Sequence, residues 1–372
     1  MTPEIIASSR QMDALLEQLN DTTLIAVDTE FFRETSYYPQ LALVQIASDS
    51  LVACIDPLAF DAKPALKKLL LNKKITKIFH ACSQDLEVLF YYLGEAPDTI
   101  YDTQIANALL TEHHQIGYAA LVENELGILL DKSQTRTNWL HRPLTQKQIQ
   151  YAGDDVYYLY QLQHILDEKL RLLDRKTWFD EDALKLTTNQ NSFLPVIKNL
   201  WKRVKGANRL NRQKLAVAQA IAEWRENIAQ QTDKTRRKIL ADDIVIKLAF
   251  DATDTVQDIE TIIGSKYHFK QQEKQRLLQT IKQARLLPLH QCPDNRFDTL
   301  DNEQKNILKK MQQAASYTAE KLGISTAVLC SKKELEQLVL LRQKGDKSGI
   351  QDLNIMQGWR YEHIGQQLFE IR

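Results

Sequence analysis

The sequence has 372 residues, of which 44% are hydrophobic and 26% charged, a composition that excludes a disordered chain and leaves enough length for two or three domains. The first residues, MTPEIIASSR, do not resemble a signal peptide, and no apolar run approaches the roughly 20 residues that span a bilayer, so we expect a cytoplasmic protein with no membrane partner. The net charge is zero, yet residues 1–170 hold 13 Lys and Arg against 23 Asp and Glu, whereas the remainder holds 35 against 25.

Strand-like and helix-like segments alternate through the first 170 residues, which predicts a mixed α/β domain. Three aliphatic segments follow one another closely and favour an antiparallel meander; they are residues 23–31, 41–48 and 51–56. A helix over Pro64–Leu71 and a strand over 77–81 come next, and helical spacing returns at Asp85–Tyr92, Tyr101–Leu110 and Tyr118–Leu126. We expect the later strands to join the sheet in parallel, through crossover helices.

Two carboxylates stand at the end of the first aliphatic run, in the sequence LIAVDTEFF. Side chains two apart on a strand face the same way, so Asp28 and Glu30 would project together. Adjacent carboxylates repel each other, and a hard divalent cation with oxygen ligands relieves that repulsion. The alternative is an ordinary strand end that emerges into solvent. The four cysteines form no C-x-x-C pair, so neither a zinc site nor a disulfide framework is indicated.

Asp85 lies just beyond the predicted strand that ends near His80, in the first turn of the next helix. Active sites of α/β proteins collect at this end of the strands, so Asp85 is a candidate for the same site as the first two carboxylates. Two alternatives stay open. Asp85 could be an acid that only compensates the helix dipole. His80 could be a core histidine whose hydrogen bonds are made within the protein.

The helix predicted over Thr145–Leu170 has the clearest start in the sequence, because Thr145 and Gln148 have the spacing of a capping box. Tyr151 and Asp155 are four residues apart, so they share one face of this helix and can serve one site. The alternative is a packing tyrosine beside an exposed acid near a helix N-terminus.

After about Arg171 the strand signals fade, and the composition becomes helical and basic. Residues 171–207 contain Pro195 and the polar run TTNQNS, and we interpret them as a linker. Residues 208–290 and 291–372 share the order long helix, short break, helix, which indicates a weak internal duplication of about 80 residues. A basic half suits a polyanion such as nucleic acid, although a solvated surface explains the charge equally well.

Taken in order, the segments VDTEFF, FHACSQDLEVL, IYDTQIANALL and YAGDD resemble the motifs of the DEDD superfamily of 3′-to-5′ exonucleases, in the subgroup whose third motif is Y-x-x-x-D. The resemblance covers essentially the whole chain, because the C-terminal half is similar to two HRDC-type helical domains. It implies a ribonuclease H-like mixed sheet flanked by helices at residues 1–170, followed by two all-α domains. The implied activity is a hydrolase that releases nucleoside 5′-monophosphates from RNA with a free 3′ end, such as tRNA precursors and other structured RNAs, without an obligate protein partner.

The resemblance also implies roles for single residues. Asp28, Glu30 and Asp155 would hold one divalent ion, and Asp85 together with Asp28 would support a second, the ions being Mg²⁺ or Mn²⁺. Such a pair can activate a water and stabilise the leaving 3′ oxygen. Tyr151 would position the attacking water, because a phenol with a pKa of about 10 is a poor general base at neutral pH.

The remaining candidates would contact the RNA. Phosphate contacts are expected from the basic residues Lys202, Arg203, Lys205, Arg209, Arg212, Arg236 and Arg237. Phe31 and His80 could stack on the terminal nucleotide, with core packing as the alternative for Phe31. A DNA-directed exonuclease would carry the same carboxylates. A binding protein without catalysis is a further alternative, against which the complete carboxylate set speaks.

Overall fold

The computed structural model describes residues 1–188, 193–251, 253–294 and 300–372. Contacts divide the chain into two compact units. The described residues of Met1–Phe32, Leu41–Gln190 and Asp298–Arg372 form the first unit, and those of Arg33–Gln40 and Asn191–Phe297 form the second. Among the described helices, none is long and apolar enough to cross a membrane. The first unit thus combines the predicted α/β region with the last helices of the chain, and the domain boundaries drawn above stay predictions.

The first unit is built on a sheet in which the described residues form six strands in the order β1-β4-β3-β2-β5-β6. The strands are β1 (Glu4–Ile6), β2 (Leu24–Phe32), β3 (Gln40–Ala47), β4 (Val52–Ile55), β5 (Thr76–Phe79) and β6 (Ile100–Asp102). β3 and β4 pair antiparallel, whereas β1 with β4, β2 with β5, and β5 with β6 pair in parallel. The predicted mixed sheet is confirmed, with the later strands added in parallel.

Two short strands differ from the sequence prediction. β1 was not predicted, and β6 occupies the start of the segment predicted as the helix Tyr101–Leu110. The helix there begins only at Thr103, because the side chain of Asp102 accepts the backbone N–H groups of Gln104 and Ile105 and caps it. Three-residue strands carry almost no periodicity, so their identity comes from pairing with β4 and β5.

Seven helices of the described α/β region accompany the sheet, and their bounds are α1 (Ser9–Gln18), α2 (Lys63–Leu70), α3 (Ser83–Leu93), α4 (Thr103–Ala108), α5 (Tyr118–Leu126), α6 (Gln146–Leu172) and α7 (Lys176–Thr188). The predicted capping box of Thr145 and Gln148 is present at the start of α6. Val156, Leu159 and Leu162 of α6 are buried in the core that includes Ala26 of β2. Burying each such side chain contributes about 1.5–3 kcal/mol, which holds α6 across the sheet.

The second unit is helical where it is described. It contains α8 (Arg212–Thr232), α9 (Arg236–Ile239), α10 (Asp242–Phe250), α11 (Val256–Ile263) and α12 (Gln271–Arg285), with 3-10 helices at Ile197–Arg203 and Ala207–Arg209. The segment Arg33–Gln40 packs within this unit, since Tyr37 donates its hydroxyl to Glu226. Oδ1 of Asp233 accepts the backbone N–H groups of Tyr37 and Tyr38 at 3.0 and 2.9 Å.

The last helices belong to the first unit. They are α13 (Asn302–Leu322), α14 (Thr326–Leu329), α15 (Lys332–Lys344), α16 (Lys347–Gln351), α17 (Gly358–Arg360) and α18 (Gln366–Glu370), with a 3-10 turn at Asn354–Met356 and a π-helical turn at Tyr361–Gly365. The rings of Trp178 on α7 and Trp359 on α17 stack with centroids 4.6 Å apart. Arg360 pairs with both carboxylate oxygens of Asp182 at 2.6 and 2.8 Å. These helices therefore share a core with α7.

Candidate active site

Three predicted carboxylates meet beside the second half of β2. Asp28, Glu30 and Asp155 each offer one oxygen, and these three oxygens lie within 4.8 Å of one another. β2 supplies the first two, which are two residues apart and so project from one face, and α6 brings the third across that face. Carboxylate oxygens at this spacing are the ligands that a hard divalent cation takes, so the donor set fits such an ion.

Burial and mutual repulsion raise the pKa values of these groups. Burial, and then the charge of Asp155, raises the pKa of Asp28 to about 8. Burial and the other carboxylates raise the pKa of Glu30 to about 10. Burial raises the pKa of Asp155 to about 7, against the lowering effect of a hydrogen bond from Tyr151. The cluster without a cation therefore retains protons at neutral pH, and a cation must displace them to bind.

Asp85 stands beside this cluster on the first turn of α3 and is only 8% exposed. Its Oδ1 accepts a hydrogen bond of 2.5 Å from Oγ1 of Thr29, the residue between the two carboxylates of β2. Burial and the charge of Asp28 raise the pKa of Asp85 well above its usual value, so the two groups sense each other. The structure thus brings Asp85 to the same site, although it is outside the set of three meeting oxygens.

Tyr151 lies one turn before Asp155 on α6 and hydrogen-bonds to its carboxylate. The hydroxyl is also 3.4 Å from the hydroxyl of Thr135. Burial, and then the charge of Asp155, raises the pKa of Tyr151 above its usual value, so the phenol keeps its proton and acts as a donor. Gly153, in the same turn, allows a close approach: a Cβ there would lie 2.1 Å from Cγ of Pro3.

A cavity of about 560 Å³ opens next to the carboxylates. Asp28, Tyr151 and Asp155 line it together with His80, Tyr118, Leu130, Lys132 and Thr135. Sequence reasoning missed the last four of these residues. Tyr118 begins α5, and the other three lie between α5 and α6, in a stretch whose polar composition indicates only a loop. The one signal that the stretch between α5 and α6 borders the site is its position in the chain, just before the helix with the Y-x-x-x-D motif.

Of the two predicted aromatic contacts, His80 lines this cavity. The ring nitrogens of His80 are each 3.0 Å from a protein partner, Oγ1 of Thr103 and the backbone oxygen of Ile116. Burial lowers the pKa of His80, so a neutral ring is favoured. Phe31 is half-buried on β2, next to Glu30.

The predicted basic contacts lie in the second unit and differ in their surroundings. Five are exposed, namely Lys202, Arg203, Lys205, Arg209 and Arg237. Arg212 donates to the backbone oxygen of Cys292 at 3.1 Å. Arg236 forms a two-pronged ion pair with Glu226, whose side chain is 1% exposed, and its guanidinium carbon lies 5.1 Å from the ring centre of Tyr37. The last two arginines therefore already have protein partners.

Comparison with known proteins identifies relatives over the full chain. The ribonuclease D of Bartonella henselae is 31% identical over 369 residues, covering 98% of this chain and 88% of that protein. The ribonuclease D of Pseudomonas paraeruginosa is 33% identical over 345 residues, covering 92% and 90%. The chain belongs to the ribonuclease D family. A family model for 3′-5′ exonucleases matches residues 3–171, and one for the HRDC domain matches residues 214–281.

The fold agrees with this assignment to the ribonuclease D family. The crystal structure of Escherichia coli RNase D, described as an exoribonuclease involved in structured RNA processing, is 28% identical and superposes with a TM-score of 0.87, covering all of this chain and 98% of that one. The chain is a hydrolytic 3′-5′ exoribonuclease that acts on RNA. Its exonuclease fold implies dependence on divalent metal ions, for which the three carboxylates are the candidate ligands.

Proposed function

We propose that this exoribonuclease trims the 3′ ends of tRNA precursors and other structured RNAs, and that it releases nucleoside 5′-monophosphates with two divalent ions, Mg²⁺ or Mn²⁺. The observation that carries the proposal is the meeting of three carboxylate oxygens within 4.8 Å, beside a cavity of about 560 Å³. The involvement of the E. coli relative in structured RNA processing supports structured RNA as the substrate class.

Four carboxylates would hold the ions. Asp28, Glu30 and Asp155 would bind one, and Asp28 with Asp85 would bind the other. When bound, the ions would neutralise charge on the phosphoryl oxygens and lower the pKa of the attacking water. Tyr151 keeps its proton at neutral pH, so it would orient that water by a hydrogen bond and would not act as a base.

RNA would be held by groups outside the carboxylate cluster. Phe31 and the face of His80 would contact the terminal nucleotide. The exposed side chains of Lys202, Arg203, Lys205, Arg209 and Arg237 would bind backbone phosphates. Arg212 and Arg236 would reach a phosphate only with donors that their protein partners leave unused.

The second helical array would be another HRDC-type domain, because each element of α8–α10 has a counterpart one repeat later. The 21-residue helices α8 and α13, the 4-residue helices α9 and α14, and the starts of α10 and α15 are each about 90 residues apart. The capping residues agree as well. Asn211 and Asp301 each cap the third residue of the long helix, and Asp233 and Gly323 each end it in the left-handed conformation. We therefore retain residues 208–290 and 291–372 as two HRDC-type domains. They would follow an exonuclease domain at 1–170 and a linker at 171–207, within which α7 lies.

The test is digestion of a 5′-labelled tRNA precursor with an extended 3′ end, analysed as a ladder. With Mg²⁺ or Mn²⁺ we expect successive loss of single nucleotides, and with a chelator no digestion. Matched RNA and DNA strands test the preference for RNA. Faster digestion of the DNA strand would overturn the RNA assignment, and binding of the precursor without any digestion would support a binding protein instead.

Two neighbouring residues on α6 provide a matched pair of variants. Asp155→Asn should abolish digestion, whereas Asp154→Asn should leave it within about threefold, because Asp154 accepts a hydrogen bond from Gln150 at 2.9 Å and is outside the set of meeting oxygens. Asp28→Asn should behave as Asp155→Asn does. Activity of Asp155→Asn within a few-fold of the unchanged protein would reject the metal assignment.

A further inference from the structure

The side chain of Tyr151 is held by a segment that has no helix or strand of its own. Residues 127–145 connect α5 to α6, and two of them contact Tyr151. The hydroxyl of Thr135 is 3.4 Å from the phenol, and the ring of Trp139 lies with its centroid 6.1 Å from the tyrosine ring. Trp139 is 5% exposed and packs with Cys54 of β4 and Ala152 of α6.

Arg142 fixes this segment to the sheet. Its Nε and Nη2 donate to the two oxygens of Asp56 at 2.6 and 2.8 Å. Nη2 also donates to the backbone oxygen of Ala42 on β3 at 2.7 Å. Nη1 donates to the backbone oxygens of Trp139 and His141 at 2.6 and 2.9 Å, so one guanidinium joins the sheet to the residue that packs on Tyr151.

We propose that Arg142 and Asp56 are positioning residues for Tyr151. The guanidinium seats Trp139, the indole ring sets the plane of the Tyr151 ring, and the phenol is thereby directed at Asp155. The proposal rests on the role given above to Tyr151. A planar fork with five donors is required here, because a lysine ammonium keeps the charge but cannot bond both oxygens of Asp56 and three backbone oxygens at once.

Misplacement of a positioned group by about 1 Å can cost about 100-fold in rate. We therefore expect Arg142→Lys to lower the single-turnover rate at saturating enzyme by about 10- to 100-fold, with the Kd for RNA within about threefold. If Arg142 only stabilised the fold, the single-turnover rate and the Kd for RNA would both stay unchanged once they are corrected for the fraction of folded protein.

A double-mutant cycle with Tyr151→Phe decides whether Arg142 acts through Tyr151. If it does, Arg142→Lys should slow the Tyr151→Phe protein by less than about threefold further. Multiplicative losses, or an unchanged rate for Arg142→Lys alone, would overturn the proposal. A normal rate for Tyr151→Phe would instead overturn the role given to Tyr151, so the two failures are distinguishable.

Arg175 supplies the matched control. It is another half-buried arginine, and it donates to the backbone oxygens of Leu109 and Leu322 at 2.6 and 2.5 Å, outside the site. Arg175→Lys should lose stability without a change in rate per folded molecule. Asp56→Asn weakens the ion pair of Arg142 and Asp56 by removing the negative charge. If Arg142→Lys does not fold, the cycle is run with Asp56→Asn in its place, where non-additive losses support the proposal and multiplicative losses refute it.

Discussion

Thr29 donates its hydroxyl to Asp85 over 2.5 Å, in a buried hydrogen bond that joins β2 to the first turn of α3. The donor stands in the chain between Asp28 and Glu30, and the charge of Asp28 raises the pKa of the acceptor, Asp85. One residue of the D-T-E motif thus orients a carboxylate that lies 56 positions later. The motif therefore contributes a donor as well as two ligands.

Thr29→Val keeps the shape of the side chain and removes this donor. A hydrogen bond to a charged group contributes about 1.5–3 kcal/mol, so we expect the rate at saturating RNA to fall by about 10- to 100-fold. The hydrogen bond lowers the pKa of Asp85, so its loss should also move the pH profile to higher pH. Rates measured between pH 6 and 9 at fixed Mg²⁺ test both effects. Thr76→Val, at the start of β5, is the control, and an unchanged rate and profile for Thr29→Val would contradict the prediction.

Metal binding should depend strongly on pH. The pKa values of Asp28 and Asp155 are raised to about 8 and about 7, so a cation must displace protons near neutral pH. Each displaced proton changes the apparent affinity about tenfold per pH unit. Titration calorimetry with Mn²⁺ in buffers of different ionisation enthalpy measures the number released. We expect at least one proton at pH 7, and a value of zero would show that the cluster is already ionised.

The same groups set the stability of the metal-free protein. A carboxyl whose pKa is raised on folding stabilises the folded state below its unfolded value of about 4, and this contribution is lost as the pH rises through the folded value. For Asp155 and Asp28 that loss extends to about pH 7 and about pH 8. The gain in melting temperature on adding Mn²⁺ should therefore be larger at pH 8 than at pH 5.5. An equal gain at both values would contradict the prediction, and the Asp28→Asn protein should show a smaller difference between them.

The stacked pair of Trp178 and Trp359 should couple the last helices to the α/β region. Trp359 is 1% exposed, so Trp359→Ala should lower the free energy of unfolding by about 3–5 kcal/mol. Tyr361→Ala, at a side chain that is 42% exposed, should cost less than about 1 kcal/mol. Denaturant unfolding followed by tryptophan fluorescence and by loss of Mn²⁺ binding provides the measurement. Separate transitions for the two signals would show that the helices unfold independently.

Two adjacent arginines in α9, Arg236 and Arg237, should differ in what their substitution changes: RNA binding for one and stability for the other. Arg237 is exposed, so Arg237→Gln should weaken RNA binding and reduce its salt dependence without a change in melting temperature. Arg236→Gln removes the cation from the buried carboxylate of Glu226, which keeps the hydrogen bond from Tyr37. It should cost about 2–3 kcal/mol, less than a fully buried pair because the arginine side chain is 37% exposed. Filter binding over a range of salt concentrations and thermal melts distinguish the two outcomes. Equal melting temperatures for both variants would contradict the assignment.

Much of the site could be predicted because its signals are local. Alternation along β2 places Asp28 and Glu30 on one face, and helical spacing places Tyr151 and Asp155 together. The capping box of Thr145 and Gln148 sets the start of α6 with short-range hydrogen bonds. The three-residue strands β1 and β6 could not be found in this way, because their conformation is decided by partners more than 20 residues away.

The sequence by itself determined which residue types could hold a cation and which elements carry them, since both follow from spacing within a few residues. Only the tertiary structure decided that Thr29 orients Asp85, that Arg142 ties the segment beside Tyr151 to Asp56, and that the last helices share a core with α7. These are contacts between distant parts of the chain. They arise from packing and from the need of buried polar groups for partners, and neither leaves a periodic pattern in the sequence.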